Sequence, residues 1–122
     1  MSTNATIIIQ RPGSNPPEFA SIYVHWDGYP AHHGKILLEN YNTYEKVVEL
    51  IQLGGLSELH ESPDACVSHH RLHGDDKDIT VSSSLYDHTD FEYAYLFRDG
   101  AWLFTKNNGI FIPLTSERCT RD

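Results

Sequence analysis

The strongest constraint on the fold is a two-residue turn signal, Asp99-Gly100, between two apolar runs near the C-terminal end of the sequence. The run before it, FEYAYLF (91–97), alternates so that its aromatic side chains share one face of a strand. The run after it, AWLFT (101–105), has the composition of the returning strand. The pattern therefore predicts a β-hairpin.

A third strand is predicted to follow the hairpin. The segment Asn107-Asn108-Gly109 marks a second turn, after which IFIPL (110–114) is apolar and β-branched. Pro113 lacks a backbone N–H, so this strand is expected at an edge. The C-terminal part is thus predicted to be an antiparallel meander.

Two further strands are predicted near the N-terminal end. ATIIIQ (5–10) is β-branched and apolar, and FASIYVHW (19–26) alternates between apolar and mixed positions. The eight residues between them, 11–18, contain three prolines and a glycine and are predicted to form a loop. We expect the two strands to pair as an antiparallel hairpin.

Helical patterns occupy the middle of the chain. Pro30 suits the first turn of a helix that continues through 34–41. For a second helix, Asn42 and Glu45 form a capping-box pair, and Gly54-Gly55 supplies a left-handed stop. Its apolar stripe has helical spacing and consists of Tyr44, Val47, Val48 and Ile51.

These elements predict one α+β domain over residues 1–122, with an antiparallel sheet and two consecutive helices on one face. Residues 57–90 are rich in acidic residues and histidine and are predicted to be a long polar loop. Two helices cover only one side of such a sheet. We therefore expect an apolar second side and a homo-oligomer.

Charge and composition exclude several functions. The chain has nine Lys and Arg against 17 Asp and Glu, a formal net charge of -8, which argues against general nucleic-acid binding or attachment to a membrane surface. A local basic pocket or an acidic surface for a basic partner stays open. Without a secretory leader pattern or a long apolar run, we expect a cytoplasmic protein.

Catalytic and metal-binding motifs are not evident. The sequence has no GxSxG, Walker A or GxGxxG motif, and its two cysteines, Cys66 and Cys119, are far apart. Neighbouring histidines on a strand point to opposite faces and seldom bind one ion. We therefore expect neither catalysis nor a cofactor, although a metal site remains an alternative for the set His60, His69, His70, His73, Asp75 and Asp76.

The binding signal is a sparse set of cations beside aromatic residues. Lys35 follows two histidines, Arg71 follows another two, and Arg98 follows the aromatic strand. A guanidinium can donate two parallel hydrogen bonds to a phosphate, and aromatic rings can stack on bases. A few such groups are therefore enough to hold a small anionic nucleotide. The alternative is that the cations form ion pairs within the protein and that the aromatic residues are core.

Longer segments carry a resemblance to a family of small phage and prophage proteins. These segments are IYVHWDGYP from Ile22 to Pro30, LIQLGGLSEL from Leu50 to Leu59, and HRLHGDD from His70 to Asp76. The resemblance covers most of residues 20–104. The chain departs from the family pattern at Gly55, where an acid is more usual, and at Leu72-His73, where a second acid–arginine pair is commoner.

In size, expected oligomer and arginine-plus-aromatic set, the chain also resembles sponge proteins that trap signalling nucleotides, such as the Thoeris anti-defence sponges. This resemblance implies a phage-encoded counter-defence protein in the cytoplasm of the host bacterium, which sequesters a cyclic nucleotide or a cyclic ADP-ribose variant without cleaving it. The candidate ligand-binding residues are Arg71 and Lys35 for phosphate, Trp26, Tyr29 and Tyr95 for stacking, and His70 and Arg98 beside them.

Two other functions stay open. The acidic stretch could occupy a basic nucleic-acid channel on a host defence protein, as an anti-CRISPR protein does. The histidines could instead serve a metal-dependent hydrolase.

Overall fold

The computed structural model describes residues 4–13, 17–24, 30–68, 79–84, 88, 93–106 and 110–115. In chain order its strands and α-helices are β1 (Ala5–Gln10), β2 (Phe19–Val24), α1 (Lys35–Asn40), α2 (Tyr44–Gln52), β3 (Leu56–Glu58), β4 (Val67–Ser68), β5 (Thr80–Ser82), β6 (Tyr93–Arg98), β7 (Ala101–Lys106) and β8 (Ile112–Pro113).

Both antiparallel units expected from the sequence are present. β1 and β2 pair from Ala5 opposite Val24 to Gln10 opposite Phe19. β6, β7 and β8 form the meander, with Pro113 in the edge strand of the described sheet.

The turn between β6 and β7 has the left-handed geometry that its sequence predicts. Asp99 has φ 53° and Gly100 has φ 79°. Two consecutive positive φ values are those of the hairpin turn that matches strand twist.

The sheet is mixed, so the prediction of a purely antiparallel sheet is wrong. β1 runs parallel to β6, with Ala5 opposite Tyr93, and β2 runs parallel to β3, with Val24 opposite Leu56. The second pairing follows from the connection. α1 and α2 carry the chain from the end of β2 back across the sheet, so the next strand starts in the same direction.

The polar segment 57–90, predicted as a loop, contributes strand pairing within its described residues. β3 and β5 share the outer edge of β2: β3 pairs at Val24, and β5 pairs antiparallel along Phe19–Ser21. β4 then pairs antiparallel with β3. Strands of two or three residues are too short to show an alternating pattern.

The helix ends follow local chemistry. The N-cap of α2 is Thr43 rather than the expected Asn42, because the Thr43 side chain accepts a 3.3 Å hydrogen bond from the N–H of Lys46. Gly54 has φ 81°, which agrees with the predicted left-handed stop. A π-helical turn, Pro30–Gly34, leads into α1.

Both helices pack on the same face of the sheet. The helices and Tyr41, the residue after α1, share one core with alternate residues of the central strands. The members from the helix side are Leu37, Tyr41, Val47, Leu50 and Ile51, and those from the strands are Ala5, Ile7, Ile9, Ile22, Val24, Tyr93, Tyr95 and Phe97. On the opposite face, Ile8, Phe19, Ala94 and Leu96 form a second buried cluster. β6 is therefore buried on both sides.

In the described part of the chain, α1 has six residues and α2 has nine. Neither is long and apolar enough to cross a bilayer, which requires about 20 residues.

Candidate functional site

One cross-strand row links the two sequence segments that carry most of the predicted binding residues. Val24 lies opposite Leu56, and Leu56 lies opposite Ser68. With neighbouring strands about 4.8 Å apart, the backbones at Val24 and Ser68 are about 10 Å apart. The segment with Trp26 and Tyr29 follows Val24 directly, and the segment with His70 and Arg71 follows Ser68.

These four residues, Trp26, Tyr29, His70 and Arg71, lie outside the described residues. The other three predicted ligand residues are described. Lys35 is the exposed first residue of α1, Tyr95 is fully buried in β6, and Arg98 is the exposed last residue of β6.

The same row continues across the sheet to a cation that the sequence analysis missed. Val24 lies opposite Ala5, Ala5 opposite Tyr93, and Tyr93 opposite Lys106. The ammonium of Lys106 lies 5.5 Å from the centre of the Tyr93 ring, within cation–π range. We call the row from Ser68 through Val24 to Lys106 the anchor row. Lys106 escaped notice because only register reveals which strand ends share a row.

Arg98 is not part of this arrangement. It ends β6, whereas Tyr93 begins β6 and belongs to the anchor row. Five residues of extended chain separate the two positions by about 17 Å. Alternation along the strand also directs Arg98 to the face opposite Tyr95.

Tyr95 belongs to the core, which does not fit the prediction that it stacks on a base. Its ring lies 6.4 Å from that of Tyr93 and 6.2 Å from that of Phe104, with nearly parallel planes. His33 lies 6.4 Å away on the helix side. With none of its surface exposed, the ring packs between its neighbours and leaves no face for a ligand.

The π-helical turn before α1 holds two adjacent histidines. His33 is fully buried, and its ring meets that of His32 edge to face at 5.2 Å. Lys35 follows two residues later on the exposed side of the chain. Turns of π-helix are rare in proteins, and those that occur are often found at functional sites. This turn therefore favours a functional role for the region between the 25–29 segment and α1.

The sequence analysis also missed a buried serine–histidine pair. The Oγ of Ser21 lies 2.6 Å from Nδ1 of His88, and Nε2 of His88 lies 3.4 Å from the carbonyl oxygen of Ser82. If Nε2 donates a hydrogen bond to that carbonyl, Nδ1 accepts one from the Ser21 hydroxyl, which is the arrangement of a serine activated by a histidine base. Both side chains are only 2–3% exposed, so the pair ties strands together and gives a substrate no access. No motif joins residues 67 positions apart.

Cys66 is also buried, and its thiol is a poor nucleophile. Its Sγ accepts a 3.3 Å hydrogen bond from the N–H of His60 and lies 3.7 Å from the Tyr41 hydroxyl. Burial, the largest cause, raises the pKa of the Cys66 thiol above its ordinary value. A thiol kept protonated is a poor nucleophile, so the arrangement indicates a structural role.

Among the described residues, no three His, Cys, Asp or Glu side chains lie close enough to hold one metal ion. Of the proposed histidine and aspartate ligands, only His60 is described, and its Nε2 lies 3.3 Å from a carboxylate oxygen of Glu58.

Comparisons of the chain with protein-family models, with curated proteins and with solved structures found no match.

Proposed function

We propose that this chain is a binding protein that sequesters an anionic nucleotide signal, a cyclic nucleotide or a cyclic ADP-ribose variant, as part of phage counter-defence. The observation that supports it best is the anchor row. The segment Ile22–Pro30, which resembles the phage family, passes through Val24, and the segment His70–Asp76 starts two residues after Ser68. Val24 and Ser68 are only two strand positions apart. Aromatic residues of the first and the arginine of the second then serve one ligand.

The charge distribution is consistent with a small ligand. The whole chain has a formal net charge of -8, so a long polyanion is repelled. A single nucleotide needs only a few cations close to its phosphates. Arg71 is expected to bind a phosphate through its guanidinium. Among the described residues, Lys35 and Lys106 are proposed as further cations that attract the phosphates.

Sequestration without cleavage is consistent with the burial of the hydroxyl and the thiol that have a neighbouring histidine. Ser21 and Cys66 are both nearly inaccessible, at 3% and 5% exposure. A sponge needs only slow release of an intact ligand, whereas an enzyme needs a reactive group that the substrate can reach.

A thermal-shift screen against cyclic di- and trinucleotides and cyclic ADP-ribose isomers tests this proposal. A ligand at about 100 times its Kd stabilises a folded protein by about 2.7 kcal/mol, which is readily seen for a domain of this size. Arg71→Ala is expected to lose the shift and to keep the melting temperature of the free protein.

The matched control is Arg98→Ala, which removes the same charge about 17 Å from the anchor row. It is expected to keep the shift. If the two variants behave alike, Arg71 does not bind phosphate. If no nucleotide shifts the wild-type protein, the acidic surface and a basic host protein become the better explanation.

A further inference from the structure

A second ligand site is offered by a cavity of about 260 Å³ between α2 and the β1–β2 hairpin. Its walls are mainly apolar and combine aliphatic residues with two aromatic ones, Phe19 and Tyr44. Ile9 and Ala20 face each other across the two strands, and Val48 and Ile51 approach from α2. This volume is slightly below the roughly 300–1,000 Å³ typical of pockets for drug-sized ligands, so a smaller molecule fits it.

The rim of this cavity carries one positive and one negative charge. Arg11 and Glu18 lie opposite each other two residues beyond Ile9 and Ala20, with Gln10 opposite Phe19 in the row between, and the N–H of Arg11 donates a 2.9 Å hydrogen bond to the carbonyl of Glu18. Rows on one face repeat every two residues, about 7 Å along the strand. The charges therefore lie about one side-chain length from the aliphatic floor.

The two charges lie side by side and face water. Their nearest N and O atoms are 3.7 Å apart, and the side chains are 67% and 50% exposed. An exposed ion pair of this kind contributes little to stability. A ligand that brings its own opposite charges meets both groups at once.

We propose that this cavity binds a free hydrophobic amino acid. Its side chain enters the apolar cavity, its α-carboxylate meets the guanidinium of Arg11, and its α-ammonium meets the carboxylate of Glu18. Charge complementarity selects this class over others. Glu18 repels a phosphate, and the backbone of an internal peptide segment carries no charge for either group.

Ala20 sets the depth of the proposed site. Its methyl group forms part of the floor opposite Ile9. Ala20→Leu is expected to fill the cavity while every charged group is kept, because the larger side chain occupies the volume that the ligand needs.

Calorimetric titration of the full chain with L-phenylalanine tests the proposal. L-phenylalaninamide lacks the carboxylate and N-acetyl-L-phenylalanine lacks the ammonium, so each is expected to bind about tenfold more weakly, a loss of about 1.4 kcal/mol. Arg11→Gln is expected to weaken L-phenylalanine about tenfold and to leave the affinity of the amide nearly unchanged.

Glu49→Gln is the charge control, because Glu49 is exposed on α2 and does not line the cavity. It is expected to bind like the wild type. The proposal is overturned if L-phenylalanine does not saturate, if all three probes bind equally, or if Arg11→Gln keeps full affinity. Arg11 is exposed, so that variant answers the question even if Ala20→Leu fails to fold.

Discussion

The indole Nε1 of Trp102 donates a 2.8 Å hydrogen bond to the main-chain carbonyl oxygen of Tyr41. The two residues are 61 positions apart, and the bond joins the end of α1 to β7. It satisfies one of the carbonyls that a helix leaves open at its C-terminal end. The helix layer and the C-terminal meander are therefore held together by a specific polar contact as well as by the apolar core.

Trp102→Phe tests this bond. The ring contact with Phe97, now 5.1 Å between centroids, is largely kept, but the Tyr41 carbonyl loses its buried donor. We expect a loss of about 1–3 kcal/mol in the free energy of unfolding, measured with urea. Tyr44→Phe changes an exposed aromatic residue and is expected to be neutral. A loss below about 0.5 kcal/mol for Trp102→Phe would mean that the bond contributes little.

Tyr41 and Cys66 make the free energy of unfolding depend on pH in the alkaline range. Burial raises the pKa of both groups, above the ordinary values of 10.0 for the phenol and 9.0 for the thiol. The folded state thus favours the protonated forms. Their contribution is complete below about pH 9 and is lost as pH rises toward the folded-state values, because unfolding then releases protons.

Urea unfolding at pH 7.5, 9, 10 and 10.5 measures this dependence. The wild type is expected to lose stability above about pH 9. Tyr41→Phe removes the hydrogen bond to the His60 carbonyl. Its free energy of unfolding at pH 7.5 is expected to be about 1–2 kcal/mol lower than that of the wild type, and to decline less steeply above pH 10. The same slope in the variant and the wild type would exclude Tyr41 as a source.

Gly100→Ala isolates the backbone cost of the β6–β7 turn. Gly100 has φ 79°, and an added Cβ would meet no atom within 4 Å. The expected loss of about 1 kcal/mol therefore comes from the left-handed conformation alone. Asp99→Asn is the control, since asparagine tolerates positive φ. A neutral Gly100→Ala would show that the turn relaxes to another geometry.

Lys106→Ala tests how far the proposed nucleotide site extends along the anchor row. Lys106 is exposed and lies about 14 Å from Val24, three strand spacings away. If its ammonium supports a phosphate, affinity is expected to fall about threefold to tenfold at low salt and less at high salt. Unchanged affinity at low salt would confine the site to the Val24–Ser68 end of the row.

Local signals in the sequence predicted local structure well. Asp99-Gly100 specifies its turn through the φ values it tolerates, Gly54 ends α2 for the same reason, and Pro113 marks an edge. The capping residue was misplaced by one position, because Asn42 and Thr43 are both good caps and the choice depends on where the helix axis starts.

Long-range pairing was the part that the sequence did not reveal. The parallel contacts of β1 with β6 and of β2 with β3 depend on how the helices return the chain, and no local pattern encodes that. The same holds for the sites. The Ser21–His88 pair and the anchor row join residues that are distant in sequence. The sequence pattern of Tyr95 fits a ligand-stacking residue and a core residue equally well, and only its neighbours in the structure distinguish the two.

The most direct test of nucleotide sequestration is to incubate the protein with a mixture of candidate cyclic nucleotides, remove unbound ligand, denature the complex and identify what is released by mass spectrometry. We expect one nucleotide to be retained selectively and released intact, and Arg71→Ala to retain none. Release of a cleaved nucleotide, or retention of none by the wild type, would contradict the proposed function.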